Sequence, residues 1–406
     1  MPHTHRSRMF AASCVALIVT AMSFAIRSDI MGDLGSQFNL SNLQIGIIGG
    51  TAFWGFTLAM MLGGPLCDVL GLKRIVWLAF ACHLAGIVVT ACATGYNMLY
   101  AGTLLMGIGN GSVEAACNPL IATIYPEEKT KRLNYFHVWF PGGSVIGGLV
   151  AYGLTQVNFS AFTHYSPWRF KILTMLVPLA AYGFMFLRQE LPRTERVEAG
   201  IPSREMWKAC LNPLFLLLLA CMLMTAATEL GPSQWMPDIL KKSANVPGIL
   251  VLVWITGLMA VGRQFAGPVV HKLSPSGMLL FSAIFSAAGL FWLSQAQSQA
   301  AVYAAATIFA VGVCYFWPTM IGFTSERCPR TGAVGLALMG GMGMLSVSIV
   351  LSYMGDIYDK DGGPAALQAV GFLPVALIFI FGALWLADRA KGGYKAERLG
   401  DQAGGR

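Results

Sequence analysis

A few polar side chains in this sequence stand inside long apolar runs, where an ionisable group costs on the order of 2.5 to 3.5 kcal/mol on the most lenient insertion scale and so asks for a polar cavity or a partner. Glu114 is the clearest: it lies midway along the run 97–124 with no Lys or Arg within a helical turn. A carboxyl so placed is suited to binding and releasing a proton. Asn118 follows four residues later, on the same helix face, so carboxyl and amide address one cavity. The alternative is a neutral glutamic acid hydrogen-bonded for packing. Glu229 lies in the run 213–236, with Gly231 and Pro232 just beyond it and then Gln234 and Trp235. Glycine and proline there predict a broken helix whose freed backbone groups face a cavity. The plainer reading puts Glu229 near the outer surface with Trp235 as an interfacial anchor. Asp29 and Arg27 flank the outer end of the first run and suit a proton relay and a surface pair equally. Arg263, two turns from the end of the run 247–271, can extend to the near membrane surface and is expected at a gate, not at a solute. No GxxxxGK[ST], GxSxG or HExxH is present, so ATP-driven, hydrolytic and zinc-dependent chemistry lack their residues.

These groups must be positioned by membrane-spanning helices. Of the 406 residues, 56% are hydrophobic and 11% charged, and the mean hydropathy is +0.62, too little charge to cover a water-soluble surface. Apolar runs long enough to cross roughly 30 Å of hydrocarbon as helices are read at 9–28, 44–66, 75–94, 97–124, 136–156, 168–187, 213–236, 247–271, 277–295, 300–324, 331–353 and 368–388. Continuous runs, not short alternating ones, exclude a β-barrel. The first run, preceded by Arg6 and Arg8, has the outline of a signal peptide, but it is needed for an even helix count and is read as a span. Small residues at Gly46, Gly49 and Gly50 and at Gly107, Gly109 and Gly111 suit close, sliding helix contacts.

The net charge of +8 does not indicate a nucleic-acid partner. With the amino terminus inside, 20 of the 27 Lys and Arg fall in cytoplasmic segments, six including Arg27 and Lys171 fall outside, and Arg263 lies within a span. That bias places both termini in the cytoplasm. The nine cysteines form no CxxC pair or disulfide framework, and no metal is expected.

A polar interruption at 188–212 divides the chain nearly in half, and the halves echo each other. Gly64-Pro65 at the end of span 2 recurs as Gly267-Pro268 at the end of span 8, Pro119 as Pro318, and Gly142-Gly143 as Gly340-Gly341, at offsets of 203, 199 and 198. The expected organisation is a six-helix bundle at 1–187, a cytoplasmic linker at 188–212, a second bundle at 213–388 and a cytoplasmic tail at 389–406. Parallel repeats of this kind bind their solute near the midplane between the halves.

Gly64-Pro-Leu-Cys-Asp68-Val-Leu-Gly71-Leu-Lys73-Arg74, between spans 2 and 3, resembles the loop signature of the major facilitator transporters, whose role is conformational gating. Asp68 can charge-complement a helix amino terminus, and His271 closes the matching segment of span 8. A narrower resemblance rests on Gly107-Ile-Gly109-Asn-Gly-Ser-Val-Glu114-Ala-Ala-Cys-Asn118-Pro119, on Leu133-Asn134-Tyr-Phe-His137 with Gly142-Gly143, and on Leu40-Ser41, Gln44 and Phe53. These are similar to the fucose/galactose/glucose proton symporter family, through about residue 150. The resemblance implies an all-α membrane protein of twelve helices in two pseudo-symmetric bundles. It also implies proton-linked carboxylates at Glu114 and at a span 1 aspartate, read as Asp29, with Asp33 as its competitor in the following loop.

The expected solute is then a monosaccharide or similar small polar molecule. Asn118, Glu229, Gln234, Trp235, Tyr315, Trp317, Phe53, Trp54 and His137 are candidates to line its path, Trp235 offering a flat face to a sugar ring and Tyr315 and Trp317 an O–H and an N–H to its hydroxyls. Asp68, Gly64, Gly71, Lys73, Arg74, Arg263 and His271 are assigned to gating. No cofactor is expected beyond a proton as coupling ion, and the residues do not separate proton from sodium. The expected state is a monomer in the inner membrane, with lipid and a small solute as partners. An uncoupled facilitator, a proton-coupled exporter of another solute and a non-transporting sensor on the same fold remain as alternatives.

Overall fold

A computed structural model describes residues 3–125, 129–159, 163–193, 204–264 and 266–396. Within these the chain is helical: α1 His3–Phe38, α2 Asn42–Leu70, α3 Leu72–Ala91, α4 Tyr96–Ile124, α5 Lys129–His137, α6 Trp139–Thr155, α7 Pro167–Leu173, α8 Leu176–Phe186, α9 Arg204–Ala209, α10 Pro213–Ser243, α11 Gly248–Gln264, α12 Ala266–Leu293, α13 Gln299–Val313, α14 Phe316–Arg327, α15 Gly332–Asp361 and α16 Gly363–Ala390. With no water in a bilayer to satisfy backbone groups, helices satisfy their own. Ten stretches are long and apolar enough to cross a membrane, and Gly248–Arg263 is a shorter apolar helix. The remaining crossing, α4, is the one that carries Asn110, Glu114 and Asn118.

The fold is therefore the expected all-α one of twelve crossings, with α5–α6, α7–α8 and α13–α14 each making one crossing in two pieces. Several boundaries differ from expectation. The first helix runs ten residues past the expected end at 28, through Arg27, Asp29 and Asp33, to Phe38, because the apolar pattern resumes at Ile30, Met31 and Leu34, which are buried. Asp33 is thus helical and not a loop residue. The sixth run is divided at Thr174 and Met175, and α12 contains a non-helical Ser274 before Pro275. The α9 helix lies within the polar interruption, and residues 194–203 of that segment lie outside the described residues.

Twelve crossings, an even number, bring the first and last described helices back to one face of the bundle. On the opposite, far face the two halves touch. Glycines make the approach possible: a side chain at Gly46 would strike the carbonyl of Leu351, one at Gly50 the Ser348 carbonyl, and one at Gly355 the backbone of Asn42. There Asp359 of α15 caps the first turn of α2, accepting from Asn42 N (2.9 Å), Leu43 N (2.8 Å) and Asn42 Nδ2 (3.0 Å), while Ser41 and Gln44 complete a capping box. Further along, Thr57 Oγ1 donates to the Gly341 carbonyl (2.8 Å). Beyond that level α2 is exposed at Leu62, Gly64, Leu66 and Val69, and no atom lies within 4 Å of where a Gly64 side chain would begin. The halves are closed against each other on the far face and part toward the termini.

Candidate functional site

Helix positions place the polar groups in three layers along the seam between the halves, at 1.5 Å per residue. In the layer nearest the termini, Glu114 of α4 is buried, with Asn118 as its side-chain hydrogen-bond neighbour. Asn118 Oδ1 also meets His137 Nε2 at 3.2 Å, at the break between α5 and α6. From the other half, Glu229 Oε1 of α10 faces Arg263 Nη2 of α11 at 3.4 Å, and Arg263 Nε donates to the Cys314 carbonyl (3.0 Å). Glu229 Oε2 is buried without a hydrogen-bond partner among the described residues. Arg263 is near enough to His137 for its charge to act on the ring, so the two clusters approach each other through that pair.

The middle layer is held by Arg27. Its side chain is 6% exposed, and Nη2 donates to Gln234 Oε1 of the other half at 2.7 Å. The guanidinium carbon lies 4.9 Å from the centre of the Phe24 ring and 5.1 Å from that of Phe53, within the range of cation–π attraction. Nε and Nη1 are buried without hydrogen-bond partners among the described residues. Around it Asn110 Nδ2 donates to Ser23 Oγ (3.0 Å) and Asn110 Oδ1 meets His83 Nε2 (2.9 Å), whose Nδ1 lies 3.1 Å from the Tyr182 hydroxyl.

The layer under the far face is a clasp. Asp238 Oδ2 accepts from Tyr358 Oη (2.9 Å) and Lys242 Nζ (2.8 Å), and the Asp238 carboxylate lies against Gly32 of α1. Trp235 stands edge-on to Tyr358, 5.5 Å between ring centres, and donates its N–H to the Leu351 carbonyl at 3.2 Å.

Several expectations change. Helix α10 continues through Gly231, Pro232 and Pro237 to Ser243. Prolines are tolerated in a spanning helix when the surrounding bundle supports the freed backbone; Pro232 frees the Thr228 carbonyl and Pro237 the Ser233 carbonyl. Arg27, counted as an outer charge, is in the seam. Asp29 pairs with Lys171 Nζ at 2.5 Å and not with Arg27, because α1 turns the two residues to different sides. Arg263 reaches Glu229 in the interior instead of extending to the surface. Trp235 is a buried contact of α15, not an interfacial anchor.

Tyr315 Oη donates to the Gly262 carbonyl (2.9 Å), and Trp317 packs beside Gly340 and Gly343. Phe53 is fully buried on Phe24, and Trp54 is half-buried. Of the gating set, Gly71 has φ +83°, which a side chain would strain, Lys73 is exposed, and Arg74 Nη1 lies 3.5 Å from the Leu70 carbonyl. The side chains of Asp68 and His271 lie outside the described residues. Sequence reasoning missed Arg27 because the span was ended at the first charge. The apolar residues that resume after it were the available signal.

The pattern of the Major Facilitator Superfamily matches residues 9–351. The chain belongs to that superfamily. This facilitator is 20% identical over 352 residues to NiaP of Bacillus subtilis, named for niacin or nicotinamide transport, covering 83% of this chain and 85% of the other. It is 24% identical over 298 residues to the cis,cis-muconate transport protein of Acinetobacter baylyi, covering 68% and 69%. Its fold is that of the xylose transporter XylE from E. coli in the inward open conformation, at 15% identity, 93% and 95% coverage and a TM-score of 0.76. It is accordingly a multi-pass membrane transporter and not an enzyme.

Proposed function

We propose that this facilitator is a proton-coupled symporter that carries a small polar organic solute by alternating access, with both termini in the cytoplasm of an inner-membrane protein. The observation that carries the reading is a pair of buried carboxyls, Glu114 from one half and Glu229 from the other, placed across one seam. The first has the Asn118 amide for a partner, and the second has one oxygen with no partner among the described residues. Groups so placed change partners when the halves rock, and a carboxyl that loses its partner in a low-dielectric site binds a proton in exchange. Glu114 carries the proton in this reading, while the Glu229–Arg263 pair opens and closes with the state. Asp29, joined to Lys171, serves as structure.

The solute reading rests on general features. The relatives are named for niacin or nicotinamide and for muconate, all small polar molecules, and a monosaccharide belongs to the same size class. Gln234, Trp235 and Tyr315, the groups expected to serve sugar hydroxyls, already have protein partners, so a sugar would have to displace them. The test is Glu114→Gln in proteoliposomes. Uptake driven by an imposed proton gradient is expected to fall by on the order of 10²-fold, while exchange between equal solute pools persists. Uptake that keeps its full pH dependence in this variant sinks the assignment, and flux in the parent protein indifferent to a protonophore sinks coupling itself.

A further inference from the structure

Arg27 is a cation in the membrane interior with an amide oxygen as its acceptor. Among the described residues no carboxylate forms an ion pair with it. Asp29, two residues on, is spent on Lys171. Two of its three nitrogens, Nε and Nη1, are buried with no acceptor, although unsatisfied buried donors are rare in folded proteins and an uncompensated buried charge is among the most destabilising arrangements. A group retained at that cost asks for a ligand that supplies the missing acceptors.

We propose that Arg27 binds a carboxylate of the transported solute, taken up in exchange for the Gln234 amide; this rests on the chain being a transporter whose solute passes this seam. The chemistry of the guanidinium dictates the exchange. Nη2 lies between Nη1 and Nε around the plane, so a carboxylate docking bidentately on either edge takes Nη2 and one of the two orphaned nitrogens. Nη2 is the nitrogen that Gln234 holds. The solute's carboxylate therefore replaces a neutral amide contact with a charge-assisted fork and satisfies a donor left bare. It also removes a bond between the halves, so binding loosens the seam below the far-face clasp.

One guanidinium, with Lys171 already paired, balances one negative charge. The site thus fits a monocarboxylate better than a phosphate monoester, which carries nearly two. Phe24 and Phe53 beside the guanidinium keep water from it and strengthen the contact.

The test is a binding titration on the purified full-length protein with acids beside their uncharged counterparts: benzoate with benzamide, nicotinate with nicotinamide, gluconate with glucose, and inorganic phosphate as the competing oxyanion. At least one acid is expected to bind about tenfold or more tightly than its counterpart and than phosphate. Arg27→Lys, which keeps the charge and loses the fork, should weaken that acid about tenfold, and Gln234→Ala, which removes the internal competitor, should leave its binding equal or tighter. Preference for the neutral members, preference for phosphate, or acid binding unchanged in both Arg27→Lys and Arg27→Gln overturns the proposal. If Arg27→Gln does not fold, the Arg27→Lys and Gln234→Ala pair decides. Acid binding at Arg27 without proton-driven uptake would sink the symport reading and leave this site standing. Proton-driven uptake of glucose with no acid preference would do the reverse.

Discussion

Asp29 and Lys171 meet in the membrane interior 2.5 Å apart with side chains 12% and 5% exposed. Such a pair contributes little net stability, but removing one partner strands the other. Asp29→Asn or Lys171→Met should each lower stability by about 3 to 5 kcal/mol, and the double variant should recover much of the loss, read from melting in detergent. If Asp29 instead carried the transported proton, Asp29→Asn would abolish gradient-driven uptake with little effect on melting. Arg263 and Glu229 pose a different case at 3.4 Å, with a free carboxylate oxygen left over. Arg263→Ala should leave Glu229 without its cation and reduce uptake more than Glu229→Gln combined with it, since the double variant has no charge to strand.

At the scale of elements, the glycines of α2 and α4 decide which helices can touch. Gly107 sits against Ala52 and Gly111 against Phe56 of α2, so within the first half the two helices approach backbone to backbone. Gly46 and Gly50, on another side of α2, meet α15 of the second half. The expected glycine stripes therefore do separate jobs: one fixes a bundle and the other forms a contact that must break. Gly111→Leu should destabilise the whole protein, because a side chain there would strike Phe56 backbone. Gly46→Leu should spare folding, since the far face can part, and should trap the transporter open on that face. Accessibility of a cysteine introduced at Ser348 to a membrane-impermeant thiol reagent reads this, with no gain over the parent counting against it.

At the scale of the molecule, the halves are joined at the far face by the Asp359 cap on α2 and the Asp238 carboxylate against Gly32, and below it by the Arg27–Gln234 bond, and they part toward the termini. Opposite helix dipole and carboxylate charges make the Asp359 cap favourable, yet it spans the two halves and, under the proposed alternating access, is lost in every cycle. Asp359→Ala is expected to shift the resting population toward far-face opening by about 1 to 2 kcal/mol, seen as increased labelling at that face and unchanged melting. A drop in melting with unchanged labelling would make the cap purely structural.

The apolar runs by themselves determined that the chain is a helical membrane protein of twelve crossings, because continuous apolar runs without alternation pair their backbone groups within a helix. The Gly-Pro echoes gave the two halves, and Glu114 with Asn118 was legible because polar residues four apart in an apolar run must share a face. Partners were not legible. Whether Arg27 belongs to solvent or seam, whether Asp29 meets Arg27 or Lys171, and whether Arg263 turns to the surface or to Glu229 depend on contacts between residues as many as 207 positions apart. No local pattern encodes these. Pro232 misled for the same reason: its sequence signal is a broken helix, and packed in the surrounding bundle the helix stays whole. Arg27, buried and half-satisfied, was brought to the seam by tertiary packing alone, and it is there that a carboxylate would find it.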